Sequence, residues 1–195
     1  AAAREIGGVQ IQASGTIGGN LCTASPAGDS IPCLMTLNAA IELASHRGAR
    51  RLPLNEFLTG PRQTACAPDE LVTAVYVPSD AEMGVSGFEK MGARRYLVIS
   101  IAMTAARLSI ADGRIGDAAI SVGACAPVAV RLTELEAGLR GMACDMAGDF
   151  IRDSRSGIMA ALSPIDDVRG TAGYRRDAAA EIVARLVERL CGEFG

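Results

Sequence analysis

The segment that most restricts the fold runs from Val98 to Val122. Two stretches rich in β-branched residues and alanine, Val98–Ile110 and Ile115–Val122, flank Ala111-Asp112-Gly113-Arg114. By periodicity the first stretch fits a strand or a helix equally well. The Asp-Gly step decides for a hairpin, because both residues accept the positive φ that a tight two-residue turn requires. Gly87–Met91 reads as another strand, and so does Glu70–Val77, which ends at Pro78. Helices follow the hairpin. Thr133–Leu139 opens on a capping residue and closes near Gly141. Two more are expected at about Ala147–Leu162, interrupted, and at Tyr174–Cys191, where Ala178, Ile182, Leu186 and Leu190 form an i, i+4 stripe. The beginning of the chain is less regular. Val9-Gln10-Ile11 reads as a short strand, residues 13–33 are dominated by small and turn-forming residues, and Ile31–Ala44 predicts a helix starting near Pro32. Leu52–Leu58 reads as a short strand and turn. The pattern is α+β, a first lobe and then an antiparallel sheet followed by helices, with a boundary among the polar residues of Pro78–Met83.

Composition excludes several functions. The 195 residues suffice for one ordinary domain or two small ones, and 49% hydrophobic against 21% charged residues describes a globular chain. No apolar run is long enough to span a bilayer. The chain lacks Trp, aromatics are 4%, the net charge is −3 and no basic stripe stands out, all of which argue against a nucleic-acid partner. His46 is the one histidine, so a mechanism needing two histidines, or a His-rich zinc site, is excluded. The six cysteines (22, 33, 66, 125, 144 and 191) include no C-x-x-C pair, which speaks against zinc, a thioredoxin-type couple or an iron–sulfur cluster held by this chain. Ala1-Ala2-Ala3-Arg4-Glu5 lacks the features of a secretory signal, so reduced thiols in the cytoplasm are expected. The start carries no initiator Met, and a piece of a longer chain is expected.

Thr16-Ile17-Gly18-Gly19-Asn20 is the sharpest local feature. Adjacent glycines let the backbone approach a ligand and aim successive N–H groups at one oxygen, and Thr16 and Asn20 add side-chain donors. The same residues also suit an ordinary Gly-Gly turn. They form neither a Walker P-loop nor a G-x-G-x-x-G fingerprint. Asp29 could accept hydroxyl hydrogen bonds from a ligand or could cap the helix that follows. Lys90 is the only lysine beside eighteen arginines, and an ammonium is a compact point charge that guanidinium does not always replace; the alternative is a surface lysine. Arg94-Arg95 reads as a solvated or partner-facing pair, and His46 as part of a polar surface turn. Asp166-Asp167 precedes a helix with its own counter-charge, Arg169, and reads as a cap rather than an acid–base pair. Cys125 has no basic neighbour in sequence to activate it. No catalytic residue and no metal ligand is predicted.

Taken together, these segments resemble the FAD subunit of molybdenum hydroxylases, the xanthine dehydrogenase and carbon monoxide dehydrogenase family. The resemblance is carried by Thr16-Ile17-Gly18-Gly19-Asn20 with Ala24-Ser25-Pro26-Ala27-Gly28-Asp29-Ser30-Ile31-Pro32. It continues through Leu54–Thr64, Asp69–Val72, Val75–Pro78, Phe88–Arg95, Ser121–Pro127, Ser163–Gly170 and Tyr174-Arg175, in order and over nearly the whole chain. It implies the second half of a two-lobed FAD-binding domain over residues 1–78. A C-terminal domain over 79–195 would follow, a three-stranded antiparallel sheet with a helical bundle.

The resemblance also implies a cofactor and a role. Thr16, Ile17, Gly18, Gly19 and Asn20 would line the FAD diphosphate and ribityl region, and Asp29 would bond the flavin's polar groups. Ala65 or Cys66 would lie against the isoalloxazine, Lys90 would stand near the ring's polar edge, and Ile6 would make an apolar contact to the cofactor. The implied function is electron transfer from [2Fe–2S] clusters through FAD to NAD+ or another acceptor. The clusters and a molybdopterin cofactor would belong to small and large partner subunits. The resemblance starts midway through the flavin domain, so the family's N-terminal flavin lobe, with its own Gly-rich loop, is an expected further partner. Many members carry an acidic residue soon after the Arg pair, where this chain has Tyr96-Leu97-Val98, which bears on the acceptor. Two rival readings are a non-catalytic interaction module of such a complex, holding no FAD alone, and a flavin-dependent dehydrogenase of the vanillyl-alcohol-oxidase type. The second would call for a substrate domain with aromatic or charged catalytic residues, for which this chain offers few candidates.

Overall fold

The computed structural model describes residues 2–95 and 97–194. A 3-10 turn at Ala2–Glu5 leads into helices α1 (Val9–Ser14), α2 (Ile17–Thr23) and α3 (Ser30–Thr36). Strands β1 (Ala40–Ser45) and β2 (Gly48–Pro53), helix α4 (Leu54–Phe57), and strands β3 (Leu58–Gly60), β4 (Gln63–Thr64) and β5 (Leu71–Tyr76) come next. After a 3-10 turn at Ser79–Glu82 come β6 (Val85–Met91), β7 (Ala102–Ala111), β8 (Arg114–Gly123) and β9 (Val130–Arg131). The chain ends in α5 (Thr133–Leu139), a 3-10 turn at Cys144–Met146, α6 (Ala147–Asp153), α7 (Arg155–Ala160) and α8 (Ala172–Phe194). Among the described residues no helix is long and apolar enough to cross a membrane.

The hairpin forms where the sequence places it. Asp112 (φ 50) and Gly113 (φ 68) both adopt positive φ, and they join Ala111 to its partner Arg114. This turn's twist matches that of the flanking strands. The β6–β7–β8 meander is antiparallel, and a two-residue β9 adds a fourth strand through Ser121↔Arg131 and Val122↔Val130. The expected three strands are therefore four, because a two-residue strand carries no periodic signal to read. β1 lies between β2 and β5 in a separate antiparallel sheet.

Two expectations near the beginning of the chain are corrected. Val9-Gln10-Ile11 belongs to a helix, closed by the Gly15 N–H on the Ile11 carbonyl at 2.7 Å. Three residues are too few to distinguish a strand's alternation from a helical turn. The helix expected over Ile31–Ala44 stops at Thr36. Asn38 (φ 50) turns the chain, and Ile41 and Leu43 then alternate into the core from β1. Small apolar residues fit both periods here, and burial of alternate side chains in the sheet decides.

Two hydrophobic clusters result. One fills the space between the β6–β9 sheet and α5–α8, and the other surrounds β1 with α2, α3 and α4. Helix α3 packs on the face of β7 and β8 away from α8. A Cβ on Gly123 would stand 2.8 Å from Pro32 Cγ and 2.5 Å from Met103 Cε. Both faces of these strands are thus covered, which accounts for their near-continuous runs of alanine and aliphatic residues.

Candidate functional site

A cleft of about 1020 Å³ opens between the beginning of the chain, α1–α3 and the outer strand β6. Of the residues singled out in the sequence, it gathers Ile6, Thr16, Ile17, Gly19 and Asn20. Thr16 is the N-cap of α2, with extended backbone, and its Oγ1 accepts the Gly19 N–H at 3.0 Å. A Cβ on Gly19 would lie 3.0 Å from that same oxygen, so glycine here lets the cap close tightly. The backbone N–H groups of Ile17 and Gly18 precede the first intrahelical bond, that of Asn20 to the Thr16 carbonyl at 3.0 Å. Gly18 turns its Cα toward Val72, where a Cβ would make ordinary contact at 3.8 Å. Asn20 Oδ1 accepts the Ser30 hydroxyl at 2.5 Å, which fixes the amide's orientation at the cleft wall.

Asp29 and Lys90 meet each other. Lys90 Nζ lies 2.6 Å from Asp29 Oδ2, with both side chains 8% exposed. Ser100 donates to the other carboxylate oxygen at 2.6 Å. The ammonium also donates to the Glu5 carbonyl at 3.2 Å and the Val98 carbonyl at 3.3 Å. Asp29 directly precedes α3 but makes no side-chain cap to it, so the capping alternative is set aside. Lys90 lines a second cavity of about 750 Å³, together with Arg4, Glu5, Phe88 and Arg94. Arg4 and Phe88 border both cavities, so the ion pair lies beside the first cleft rather than in it.

Ala65 and Cys66 do not line either cavity. The Ala65 N–H bonds the Phe57 carbonyl at 2.8 Å, and the Cys66 thiol donates to the Glu70 carbonyl at 3.3 Å. Cys33 does line the first cleft, and burial pushes its thiol up to about 11, so it stands there neutral. Cys125 is buried and its thiol is likewise pushed up to about 11, which removes the thiolate a nucleophile needs. Asp166 caps α8, accepting the Ala172 N–H at 2.5 Å, and Asp167 pairs with Arg169 at 2.6 Å and Arg175 at 2.5 Å. His46 is 79% exposed on the β1–β2 turn, 3.7 Å from Asp69. Tyr96 lies outside the described residues. Sequence reasoning missed Ser100, Arg4 and Phe88. Ser100 is 71 residues from Asp29, and no local pattern announces that contact.

Residues 1–80 match the family described as FAD binding domain in molybdopterin dehydrogenase, and residues 88–190 match the CO dehydrogenase flavoprotein C-terminal domain. The chain is 33% identical to the nicotine 6-hydroxylase medium subunit of Paenarthrobacter nicotinovorans, over 96% of this chain and 64% of that one. It is 31% identical to the carbon monoxide dehydrogenase medium chain of Afipia carboxidovorans, over 92% of this chain and 62% of that one. The fold superimposes on reconstituted CO dehydrogenase from Oligotropha carboxidovorans with a TM-score of 0.87 at 31% identity, covering 98% of this chain and 66% of that one. The chain thus spans less than two-thirds of the length of these relatives.

Proposed function

The chain belongs to the medium, FAD-binding subunits of the molybdenum hydroxylases, and we propose on that basis that it serves as the flavin module of an electron-transfer complex. Residues 1–78 would form the second half of the FAD-binding domain and 79–195 the C-terminal domain, a division supported by the two family matches meeting between residues 80 and 88. The observation that carries the reading is the Thr16-capped first turn of α2 at the cleft wall. A hydroxyl, the side-chain-free Gly19 and an oriented amide stand beside an apolar surface formed by Ile6, Ile11 and Leu34. That donor set fits an anionic diphosphate joined to an apolar ring system.

In this reading, Thr16, Ile17, Gly18, Gly19 and Asn20 hold the diphosphate and ribityl region, and Ile6 supplies an apolar contact. Asp29, clamped by Lys90 and Ser100, supplies a fixed carboxylate at the polar edge. Lys90 adds its charge there from the adjoining cavity. The placement of Ala65 and Cys66 against the ring rests on the family resemblance, since neither lines the cleft. When bound, FAD would supply the chemistry of passing electrons from one-electron carriers to an acceptor. This chain's share is to bind and orient the cofactor and to set the charge around it. The carriers would be [2Fe–2S] clusters in a small subunit, fed by a molybdopterin cofactor in a large subunit. NAD+ or another acceptor would lie beyond, and the complex would be cytoplasmic. A separate or preceding N-terminal flavin lobe would complete the cradle.

The test is flavin content. The subunit purified in its assembled complex should be yellow and release FAD on heating, and Gly19→Val should lower FAD per complex at least tenfold while subunit assembly persists. Full FAD content in Gly19→Val would remove the diphosphate placement. A complex that assembles around this chain without any flavin would favour the interaction-module reading instead.

A further inference from the structure

The large cleft carries almost no charge. Among the described residues that line it, Arg4 alone has an ionised side chain, and the others are apolar or neutral polar. Arg4 also borders the second cavity, where Lys90, Arg94 and Arg95 stand with one carboxylate, that of Glu5. The chain as a whole has a net charge of −3, so this junction is a local excess of positive charge.

The segment that carries Arg4 is fixed from two sides. Gln12 of α1 donates through Nε2 to the Arg4 carbonyl at 3.1 Å and to the Ile6 carbonyl at 3.2 Å. Lys90 Nζ holds the residue between them by the Glu5 carbonyl at 3.2 Å. These bonds set the backbone of residues 4–6 at the boundary of the two cavities, and Arg4 itself is exposed. Among the described residues no carboxylate pairs with its guanidinium. Lys90 differs in this respect. Its ammonium lies 2.6 Å from Asp29, so the charge it brings is matched within the pair. Such a pair can orient a ligand and exchange hydrogen bonds with it, but opposite charges that close largely cancel at longer range. Arg94 donates to the Leu97 carbonyl at 3.2 Å and faces the second cavity, not the cleft. The charge balance of the cleft thus falls to Arg4.

We infer that Arg4 is the charge-setting residue of the flavin site, supplying the net positive field that favours negative charge on the cofactor. The inference rests on the flavin reading of the cleft. Uptake of two electrons and one proton turns a neutral flavin into an anion, so a cation beside it favours the reduced form and raises the potential. A guanidinium keeps its charge at every working pH, so Arg4 supplies this field without titrating. Because Arg4 is exposed, its field is also open to screening by salt.

The experiment measures the flavin midpoint potential in the assembled complex, by dye-equilibrated titration, for wild type, Arg4→Gln and Arg4→Lys. Arg4→Gln should keep its FAD and lower the equilibrium constant for reduction by about three- to tenfold, tenfold being about 30 mV for a two-electron couple. The gap from wild type should narrow as ionic strength rises, and Arg4→Lys should restore most of the wild-type value. The proton of the reduced flavin, followed by its spectrum against pH, should come off at higher pH in Arg4→Gln, since losing the cation favours the protonated, neutral form. Glu5, Arg94, Arg95 and the Lys90–Asp29 pair are common to both proteins and do not account for that difference. A residue that only supported the fold would produce no salt-dependent gap and no rescue by lysine. An unchanged potential in Arg4→Gln, a gap that salt does not narrow, or an assembled variant that has lost its FAD would each overturn the inference. A wild-type complex without flavin would instead remove the flavin reading, and this inference with it.

Discussion

The single lysine of an arginine-rich chain becomes intelligible once its surroundings are known. Lys90 Nζ serves three acceptors that converge from separate segments: Asp29 Oδ2, the Glu5 carbonyl and the Val98 carbonyl. An ammonium, with three donors on one atom, satisfies that arrangement within a buried space. A planar guanidinium would carry five donors into the same volume and leave some unpaired. Glu70 shows the opposite preference. Its carboxylate takes the Arg50 fork at 2.7 and 2.8 Å and also the Ala67 N–H at 2.8 Å. The Arg50 hydrogen bonds, then that backbone N–H, bring its carboxyl down to about 2. A carboxylate depressed in the folded state stabilises above its ordinary value, and the contribution fades as pH falls from about 4.5 toward 2. Glu70→Gln should therefore lower the thermal midpoint at neutral pH, and the gap from the wild type should narrow through that window. Thermal melts from pH 7 to pH 2 measure this, and a gap that is constant across that range would show that Glu70 does not act through its charge.

At the scale of elements, the decisive contact is α3 against the β7–β8 face. Gly123 has no room for a Cβ, with Met103 and Pro32 both inside 3 Å of where it would sit. Gly123→Val should cost about 1–3 kcal/mol through overpacking, read as a lower urea midpoint with an unchanged slope. Gly113→Val is a different case, since open space surrounds it and its cost comes from the positive φ of the turn. A Gly123→Val protein as stable as the wild type would mean that α3 can lift from the sheet at little cost. The elements also show what was legible in the sequence. The Asp112-Gly113 hairpin, the β5 and β6 strands and the α5–α8 helices carry signals within a few residues, namely turn chemistry, alternation and an i, i+4 stripe. The short helices before Leu37 do not. Their residues are small and weakly patterned, and contacts distant in sequence bear on them: α3 packs on β7 and β8, some seventy residues away, and α2 on β5. The site divides in the same way. The Thr16–Asn20 motif stands out locally, although it reads as a Gly-Gly turn where the structure has the capped start of α2, whereas the Lys90–Asp29–Ser100 cluster joins positions with no shared local pattern.

At the scale of the molecule, the two halves are joined through α3 and its ends. Lys90 reaches Asp29 before the helix. Arg107 Nε donates to the Thr36 carbonyl at 3.2 Å, and Arg131 Nη1 donates to the Met35 carbonyl at 2.8 Å and Asn38 Oδ1 at 2.9 Å. Each cation comes from the β6–β9 sheet and each acceptor from the first half, so the two hydrophobic clusters share a polar seam. Arg131 also forms a forked pair with Glu136 at 2.7 and 2.9 Å, and Glu136 accepts the Ile120 N–H at 2.7 Å. Glu136 is buried, at 3% exposure. Removing its guanidinium would leave a buried carboxylate with one backbone donor, a change of the kind that costs about 3 kcal/mol or more. Because the same arginine holds the end of α3, the damage should not stay in one half. Wild-type protein should unfold in urea as one transition, with β1 and β7 amides exchanging through the same global opening. Arg131→Met should lower the midpoint and separate the two, with β1 amides exchanging through a cheaper opening than those of β7. If hydrogen exchange shows β1 and β7 still opening together in Arg131→Met, then apolar packing of α3 on the sheet, not the polar seam, couples the halves.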